Sequence, residues 1–252
     1  MQDYHKEYAN YYDLLTAHKD YDYEVEKLSN FLKKEGFDSS SKILSIGCGI
    51  GTHERLLTNY FSEILGIDNS EYMIDKAKNF NNPNNLNLEY IDIKHLKNFE
   101  FDIAISLFNV LNCIKDSIHL IEMLKDLARN MRHNSLFIFE TWNALETMRI
   151  PPEIVSREYK DKDIFLQRVA TPELNTNNRC LTLNYKIKGK DKGKSVNLIS
   201  SHSIYLHSQE LLEDALLKAG FTSPKWFSSL SSGMNNFSIK DRMLLCSCRY
   251  KN

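Results

Sequence analysis

The segment Leu44-Ser45-Ile46-Gly47-Cys48-Gly49-Ile50-Gly51-Thr52 constrains this chain more than any other. It ends an apolar run with strand character and opens a helical one. Three glycines in five residues let the backbone turn sharply, and they let a ligand approach the main chain where a helix starts. A strand, a glycine turn and a helix in that order are the opening unit of an open α/β sheet. The spacing is G-x-G-x-G, with Thr52 and His53 next. Dinucleotide-binding turns use G-x-G-x-x-G, so a nicotinamide-dependent oxidoreductase is the weaker reading.

The rhythm on either side agrees with that unit. A helix is predicted over Tyr4–Lys34, with Tyr4, Tyr8, Tyr11 and Tyr12 near helical spacing. Val25, Leu28, Phe31 and Leu32 form its apolar stripe, and Gly36 closes it. Strands are predicted at Ile43–Ile46, Glu63–Ile67, Leu88–Ile91, Phe101–Leu107 and Ser135–Glu140. Helices fall between them, from the glycine turn to Tyr60, over Ser70–Phe80 and over Ile118–Met131. Such alternation implies right-handed crossovers and a Rossmann-like, doubly wound, mainly parallel sheet. After Pro151-Pro152 the alternation stops. Ile164–Val169, Cys180–Ile187 and Val196–Tyr205 read as strands with no helix between them, and a turn is expected over Gly189–Gly193. An antiparallel β insertion covering the active site is the expectation for residues 150–206. A helix over Gln209–Ala219, ended by Gly220, and a strand at Met243–Cys248 return the chain to the main sheet.

Composition narrows the class. Of 252 residues, 42% are hydrophobic and 26% charged, enough apolar material for a core. Lys plus Arg total 32 against 33 for Asp plus Glu, so no general charge draws the chain to nucleic acid or an anionic membrane. No apolar run approaches the roughly 18–20 residues of a membrane helix, and the first twenty residues lack a signal-peptide core. A cytoplasmic protein is expected. Cys48, Cys113, Cys180, Cys246 and Cys248 are odd in number and without C-x-x-C spacing, so apolar fillers are expected rather than a disulfide framework or a metal site. Lys186, Lys188, Lys190, Lys192 and Lys194 alternate through a predicted hairpin. A solvated tip is the favoured reading of that run, and a nucleic-acid patch the other.

Two carboxylates sit where chemistry is expected. Asp68 ends the second strand, 17 residues after Gly51, and can accept both hydroxyl protons of a ribose diol. Its other reading is a helix N-cap, for which Asn69 and Ser70 also qualify. Asp92, in Tyr90-Ile91-Asp92-Ile93, ends the third strand and can accept from an adenine amine between apolar side chains. All three signals lie at successive strand ends, on the carboxyl edge where such sheets bind ligands.

Across residues 40–140 these features resemble class I S-adenosylmethionine-dependent methyltransferases. The resemblance implies that Gly47, Gly49 and Gly51 lie under the methionine part of the cofactor. Asp68 would hold the ribose, Asp92 would meet the adenine, and Met73 would cover it. Asn69, Ile93 and Leu107 complete the implied cofactor residues. S-adenosylmethionine is the expected cofactor and S-adenosylhomocysteine its product form. Family members often carry an acid where this chain has Ser45.

A narrower resemblance spans nearly the whole chain. Asp3-Tyr4, Tyr12-Asp13-Leu14, Asp20-Tyr21, Gly51-Thr52-His53, Ser106-Leu107-Phe108, Glu140-Thr141-Trp142, Ser201–Leu206 and Arg242 look like methyltransferases that dimethylate the amine of nucleotide-linked sugars. That likeness implies His202, Glu140 and Tyr12 as catalytic residues. It implies Tyr4, Tyr12, Trp142 and Arg242 as substrate residues, with Arg242 meeting a diphosphate. It divides the chain into a helical cap (1–38), a cofactor domain (39–149), a substrate cover (150–206) and a return to the sheet (207–252). Each residue keeps a second reading: the tyrosines as helix packing, Arg242 as a surface ion pair, His202 as a satisfied strand histidine. Cys113 stands where relatives have a histidine. A neutral amine needs only alignment with the activated methyl, whereas a hydroxyl wants a general base. Methylation of a nucleotide-linked amino sugar is what the resemblance implies first, and Cys113 and Ser45 keep a second acceptor open. O-methylation of a surface-polysaccharide precursor, such as a capsular phosphoramidate group, follows. An RNA methyltransferase and a binding protein without chemistry are the remaining readings. The partner expected is a small molecule, with neither nucleic acid nor membrane, and the oligomeric state is open.

Overall fold

The computed structural model describes residues 6–97, 99–222 and 224–251. Strand β1 (Lys42–Ile46) is apolar at Ile43, Leu44 and Ile46 because both of its faces are covered. It pairs in parallel with β2 (Glu63–Asp68) on one side and β4 (Phe101–Ser106) on the other. Next to β2 lies β3 (Leu86–Tyr90), and next to β4 lies β5 (Met131–Trp142). Strand β11 (Met243–Arg249) runs antiparallel to β5, and β10 (Lys225–Ser228) pairs with β11. The order β10-β11-β5-β4-β1-β2-β3 reverses direction at β1/β4. At such a reversal the connections leave in opposite directions and open a crevice at the carboxyl ends of the strands.

Helices cover both faces of this sheet. On one face α2 (Tyr21–Lys34), α3 (Thr52–Leu57) and α4 (Glu71–Lys78) bury Val25, Leu28, Leu57 and Ile74 against Ile43, Ile103 and Ile138. On the other, α5 (Ser117–Ala128) and α7 (Gln209–Lys218) bury Leu120, Leu124, Leu212 and Leu216 against Leu44, Phe137 and Phe139. Cys246 and Cys248 lie in that second core, two residues apart on one strand face, as free thiols.

The N-terminal segment is two helices rather than one. α1 (Lys6–Thr16) ends, and Asp20 starts α2 by accepting a hydrogen bond from the Tyr23 amide at 3.0 Å. The tyrosine spacing concealed the break, because aromatic residues continue through it. Gly36, at φ 94°, ends α2 as expected. Of these two helices, α1 packs on the second sheet and α2 belongs to the main core.

That second sheet has four antiparallel strands, one more than the sequence predicted: β6 (Val155–Asp161), β7 (Ile164–Asn175), β8 (Cys180–Asp191) and β9 (Lys194–Tyr205). β6 is a charged edge strand that buries only Tyr159, so it carried no apolar pattern. The hairpin turn is also tighter than expected. Lys192 (φ 47°) and Gly193 (φ 79°) form a two-residue turn, while Gly189 lies inside β8 opposite Leu166 and Val196. All five lysines of the alternating run are exposed. The short helix α6 (Ala144–Arg149), between β5 and the second sheet, was not predicted. No helix among the described residues is long and apolar enough to cross a membrane.

Candidate active site

The glycine turn at the end of β1 is held from the neighbouring strand. The amides of Gly47 and Cys48 both donate to the Ile67 carbonyl, at 2.8 and 3.1 Å, and the Gly49 amide donates to Asp68 Oδ2 at 2.8 Å. These donors are occupied, so the turn presents a smooth backbone surface rather than a ring of free amides for a pyrophosphate. Gly47 and Gly49 have φ of 70° and 57°, in the left-handed region that favours glycine. A Cβ at Gly47 would lie 2.4 Å from Val110 Cγ2, whereas one at Gly49 would meet no atom within 4 Å. Gly49 therefore faces open space.

That space is a cavity at the strand-order reversal. Gly47, Gly49, Asp68 and Asn69 form its polar rim, with Asp92 at the far end. Ile46, Ile67, Met73, Ile91 and Ile93 line it from the β1–β3 side. Val110, Cys113, Ile114 and Met123 line it from the β4–α5 side, and Tyr12 and Phe108 complete it. Asp68 Oδ1 accepts from the Ser70 amide at 2.8 Å, so both carboxylate oxygens already hold the backbone around them. Burial raises its pKa, with the Ser70 and Gly49 amides acting against that rise. Asp92 caps a single helical turn by accepting from the Lys94 amide at 3.1 Å, and it pairs loosely with Lys94 Nζ at 3.7 Å. Asp92 thus caps and lines the cavity at once, whereas the helix after Asp68 is capped by Ser70, whose hydroxyl accepts from the Met73 amide at 3.4 Å.

Two expected cofactor residues lie elsewhere. Gly51 is the N-cap of α3, and a Cβ there would strike Leu88 at 2.7 Å. Leu107 is buried in the core beneath the site. Ser45 is not isolated from an acid: its hydroxyl donates to Glu54 Oε1 at 2.6 Å. Glu54 is 3% exposed, and its Oε2 has no hydrogen-bond partner among the described residues. A carboxylate thus reaches the base of the turn from α3 instead of from β1. In sequence it read as an ordinary helix-surface charge.

Phe108 has a role that its sequence context does not signal. Phe108 and Asn109 have φ of 57° and 62°, a costly backbone for consecutive non-glycine residues. The Phe108 amide donates to Glu140 Oε2 at 3.1 Å, which fixes that conformation. Lys19 Nζ lies 3.7 Å from the Phe108 ring centroid, and the His53 ring lies 5.5 Å away. His53 is itself paired with Glu24 at 2.9 Å, and Lys19 reaches Glu24 at 3.2 Å. These groups lock the ring over the cavity. Glu140, expected to be catalytic, is buried behind Phe108 and holds it in place.

The other expected catalytic and substrate residues divide between three places. Tyr12 lines the cavity, where burial and the neighbouring tyrosines push its phenol well above the usual range, so it stays protonated at neutral pH. His202 is not on the cavity wall. It lies on the inner face of the second sheet, with Nε2 2.8 Å from Ser200 Oγ and its ring 5.3 Å from Tyr8 and 5.2 Å from Tyr185. The tyrosines drew it to that face, as strand alternation allows. Trp142 lines a separate cavity with His207 and Arg179. Between the two cavities stands the turn Val110–Cys113, whose Asn112 accepts from Thr141 and the Trp142 amide and donates to the Tyr205 carbonyl. Arg242 Nη1 donates to the Ile150 carbonyl at 2.9 Å, away from the main cavity. Tyr4 lies outside the described residues. Burial pushes the Cys113 thiol up to about 11, so it is neutral as well.

Comparison with known proteins accords with this geometry. Residues 43–134 match the family model described as a methyltransferase domain. The chain is 25% identical, over 86% of its length and 91% of the relative's, to dTDP-3-amino-3,4,6-trideoxy-alpha-D-glucopyranose N,N-dimethyltransferase of Streptomyces venezuelae. Among solved structures it superposes on Streptomyces venezuelae DesVI with a TM-score of 0.80 at 21% identity, covering 97% of this chain and 98% of that one. It superposes on S-adenosylmethionine-bound CalS10, an amino pentose methyltransferase from Micromonospora echinaspora, with a TM-score of 0.75 at 14% identity, covering 92% and 93%. A glycine turn at the strand reversal, a cavity with an acid at each of two neighbouring strand ends, and the domain match define one class of enzyme. Residues 43–134 are a methyltransferase domain, and the whole chain has the fold of S-adenosylmethionine-dependent methyltransferases. CalS10 holds S-adenosylmethionine, and DhpI, another solved structure of this fold, holds S-adenosylhomocysteine.

Proposed function

We propose that the chain methylates the amine of a small nucleotide-linked amino sugar. In this reading Asp68 accepts from the ribose hydroxyls and Asp92 from the adenine amine. Met73 and Ile93 bracket the base, Asn69 adds a polar contact at the rim, and the methionine part crosses Gly47 and Gly49. Gly51 and Leu107 support the site from beneath. When bound, the cofactor supplies a methyl group already activated by a sulfonium, so the protein has to align an acceptor and exclude water. Phe108 and Tyr12 do both at the cavity mouth, and the second sheet closes over it.

One observation carries the preference for an amine. The titratable groups on the wall, apart from Asp68 and Asp92, are the Tyr12 phenol and the Cys113 thiol, and both stay protonated at neutral pH. Neither can take a proton from a hydroxyl. An amine that arrives neutral needs no such base, and the ammonium formed loses its proton to water. With His202, the expected base, off this wall and its Nε2 on Ser200 Oγ at 2.8 Å, this weighs against O-methylation of a capsular phosphoramidate group or another polysaccharide precursor. The relatives named as amino-sugar N,N-dimethyltransferases support the same choice of acceptor. Residues 1–38 and 150–206 then bound the acceptor site, 39–149 hold the cofactor, and 207–252 complete the sheet. Arg242 remains a candidate for the diphosphate, and a cytoplasmic enzyme fits a nucleotide-linked substrate.

The test is transfer of a deuterated methyl group from S-adenosylmethionine to a dTDP-linked 3-amino sugar, beside the matching 3-hydroxy sugar. Label on the amino sugar alone is expected. Label on the hydroxy sugar at a comparable rate would replace this reading with O-methylation.

A further inference from the structure

The inner face of the second sheet is apolar at both ends and polar between them. At one end Tyr159, Leu166 and Ile187 pack on Tyr8 and Leu15 of α1. At the other, Leu181 and Ile204 pack on Ala144, Trp142 and Met148. Between these clusters the strand register places Arg168, Tyr185, Ser200 and His202 on the same face. A sheet face that only packed on its neighbours would continue apolar. Ser200 and His202 are buried and hydrogen-bonded to each other, whereas Arg168 and Tyr185 are half-buried, and a half-buried charge is kept where something polar meets it.

Arg168 is the charged member of that band. It is half-buried, with its guanidinium carbon 5.3 Å from the Tyr159 ring centroid and 5.1 Å from that of Tyr185. Among the described residues it forms no ion pair with a carboxylate. Asp191, four residues beyond Ile187 on the same strand face, accepts instead from the Tyr11 hydroxyl at 3.0 Å. Arg157 faces Arg168 across the β6–β7 pair and adds positive charge. Two ring faces and a hydrogen bond to the Tyr8 hydroxyl orient the guanidinium, and its remaining N–H groups meet no carboxylate among the described residues, although a guanidinium fork is shaped to bind an anion. The place is also suitable. The Tyr8 ring lies 6.2 Å from that of Tyr12, which lines the cofactor cavity, and 6.3 Å from that of Tyr185. Tyr8 therefore links the cavity wall at Tyr12 to Arg168, which hydrogen-bonds its hydroxyl.

We infer that Arg168 is the acceptor's anion site, its planar fork donating two hydrogen bonds to phosphate oxygens while the acceptor's amine lies at Tyr12. The inference rests on the proposed phosphate-bearing acceptor, and it puts the phosphate on the second sheet rather than at Arg242. Arg242 lies away from the main cavity, with its Nη1 donating to the Ile150 carbonyl.

The experiment titrates the full chain, saturated with S-adenosylhomocysteine, with dTDP and separately with inorganic pyrophosphate, by calorimetry. The proteins are wild type, Arg168→Gln, Arg168→Lys and Arg242→Gln. Losing a bidentate, charge-assisted contact is expected to weaken both ligands by about ten- to a hundredfold in Arg168→Gln. Arg168→Lys should recover part of the pyrophosphate affinity, and Arg242→Gln should change it less. Unchanged affinity for S-adenosylhomocysteine in the same samples shows that the variants are folded. Wild-type affinity in Arg168→Gln, no binding of either ligand to wild type, or a loss confined to Arg242→Gln would each overturn the inference. If dTDP and pyrophosphate bind equally and both are lost in Arg168→Gln, the anion site stands and the nucleotide falls from the proposed substrate.

Discussion

Asp68→Ala is expected to weaken S-adenosylhomocysteine binding by roughly ten- to a hundredfold, the value of hydrogen bonds to a charged acceptor at about 1.5–3 kcal/mol. In the proposed site this one carboxylate accepts hydrogen bonds from both ribose hydroxyls. It also accepts from the Gly49 and Ser70 amides, each at 2.8 Å, and so sets the glycine turn against β2. The alanine variant leaves those amides without a partner, which adds about 1–3 kcal/mol of instability. Asp68→Asn separates the effects: it keeps one acceptor oxygen but turns a donor toward a donor, so its affinity should fall between the two. Calorimetry on the three proteins checks the order. Unchanged affinity in Asp68→Ala would remove the ribose from this residue.

Gly49→Leu should have a larger effect on binding and a smaller one on folding. Nothing lies within 4 Å of a Cβ at this position, so the new side chain enters the cavity rather than the core. Its φ of 57° costs a leucine about 1–2 kcal/mol. Cofactor and side chain then compete for one volume, and affinity should drop by more than about a hundredfold. Gly47→Ala makes the contrast, because its Cβ meets Val110 and strains the turn itself. The prediction is a folded Gly49→Leu protein by thermal melting that does not bind S-adenosylhomocysteine. Binding at wild-type strength would mean that the cofactor does not cross the turn.

The sequence made the cofactor side legible because its constraints are on the backbone. Glycines at positive φ and acids at strand ends leave marks that composition and spacing expose. The apolar wall left none: Val110, Ile114 and Met123 look like core residues until the strand reversal places them around an opening. Glu54 and Arg168 were missed for the opposite reason, since single charges in a helix or strand read as surface. His202 shows the limit of alternation, which assigns a side chain to a face but does not say what the face meets. The charged edge strand β6 had too little buried surface to show a period. The break before Asp20 was masked by tyrosines that serve two helices packing on different partners.

A crystal structure of the complex with S-adenosylhomocysteine tests the account most directly. The ribose hydroxyls should lie on Asp68, with the adenine between Met73 and Ile93 and near Asp92. The sulfur should face Tyr12, toward the polar band of the second sheet. Adenine at the Tyr12 end, or the whole ligand in the cavity beside Trp142 and His207, would contradict it.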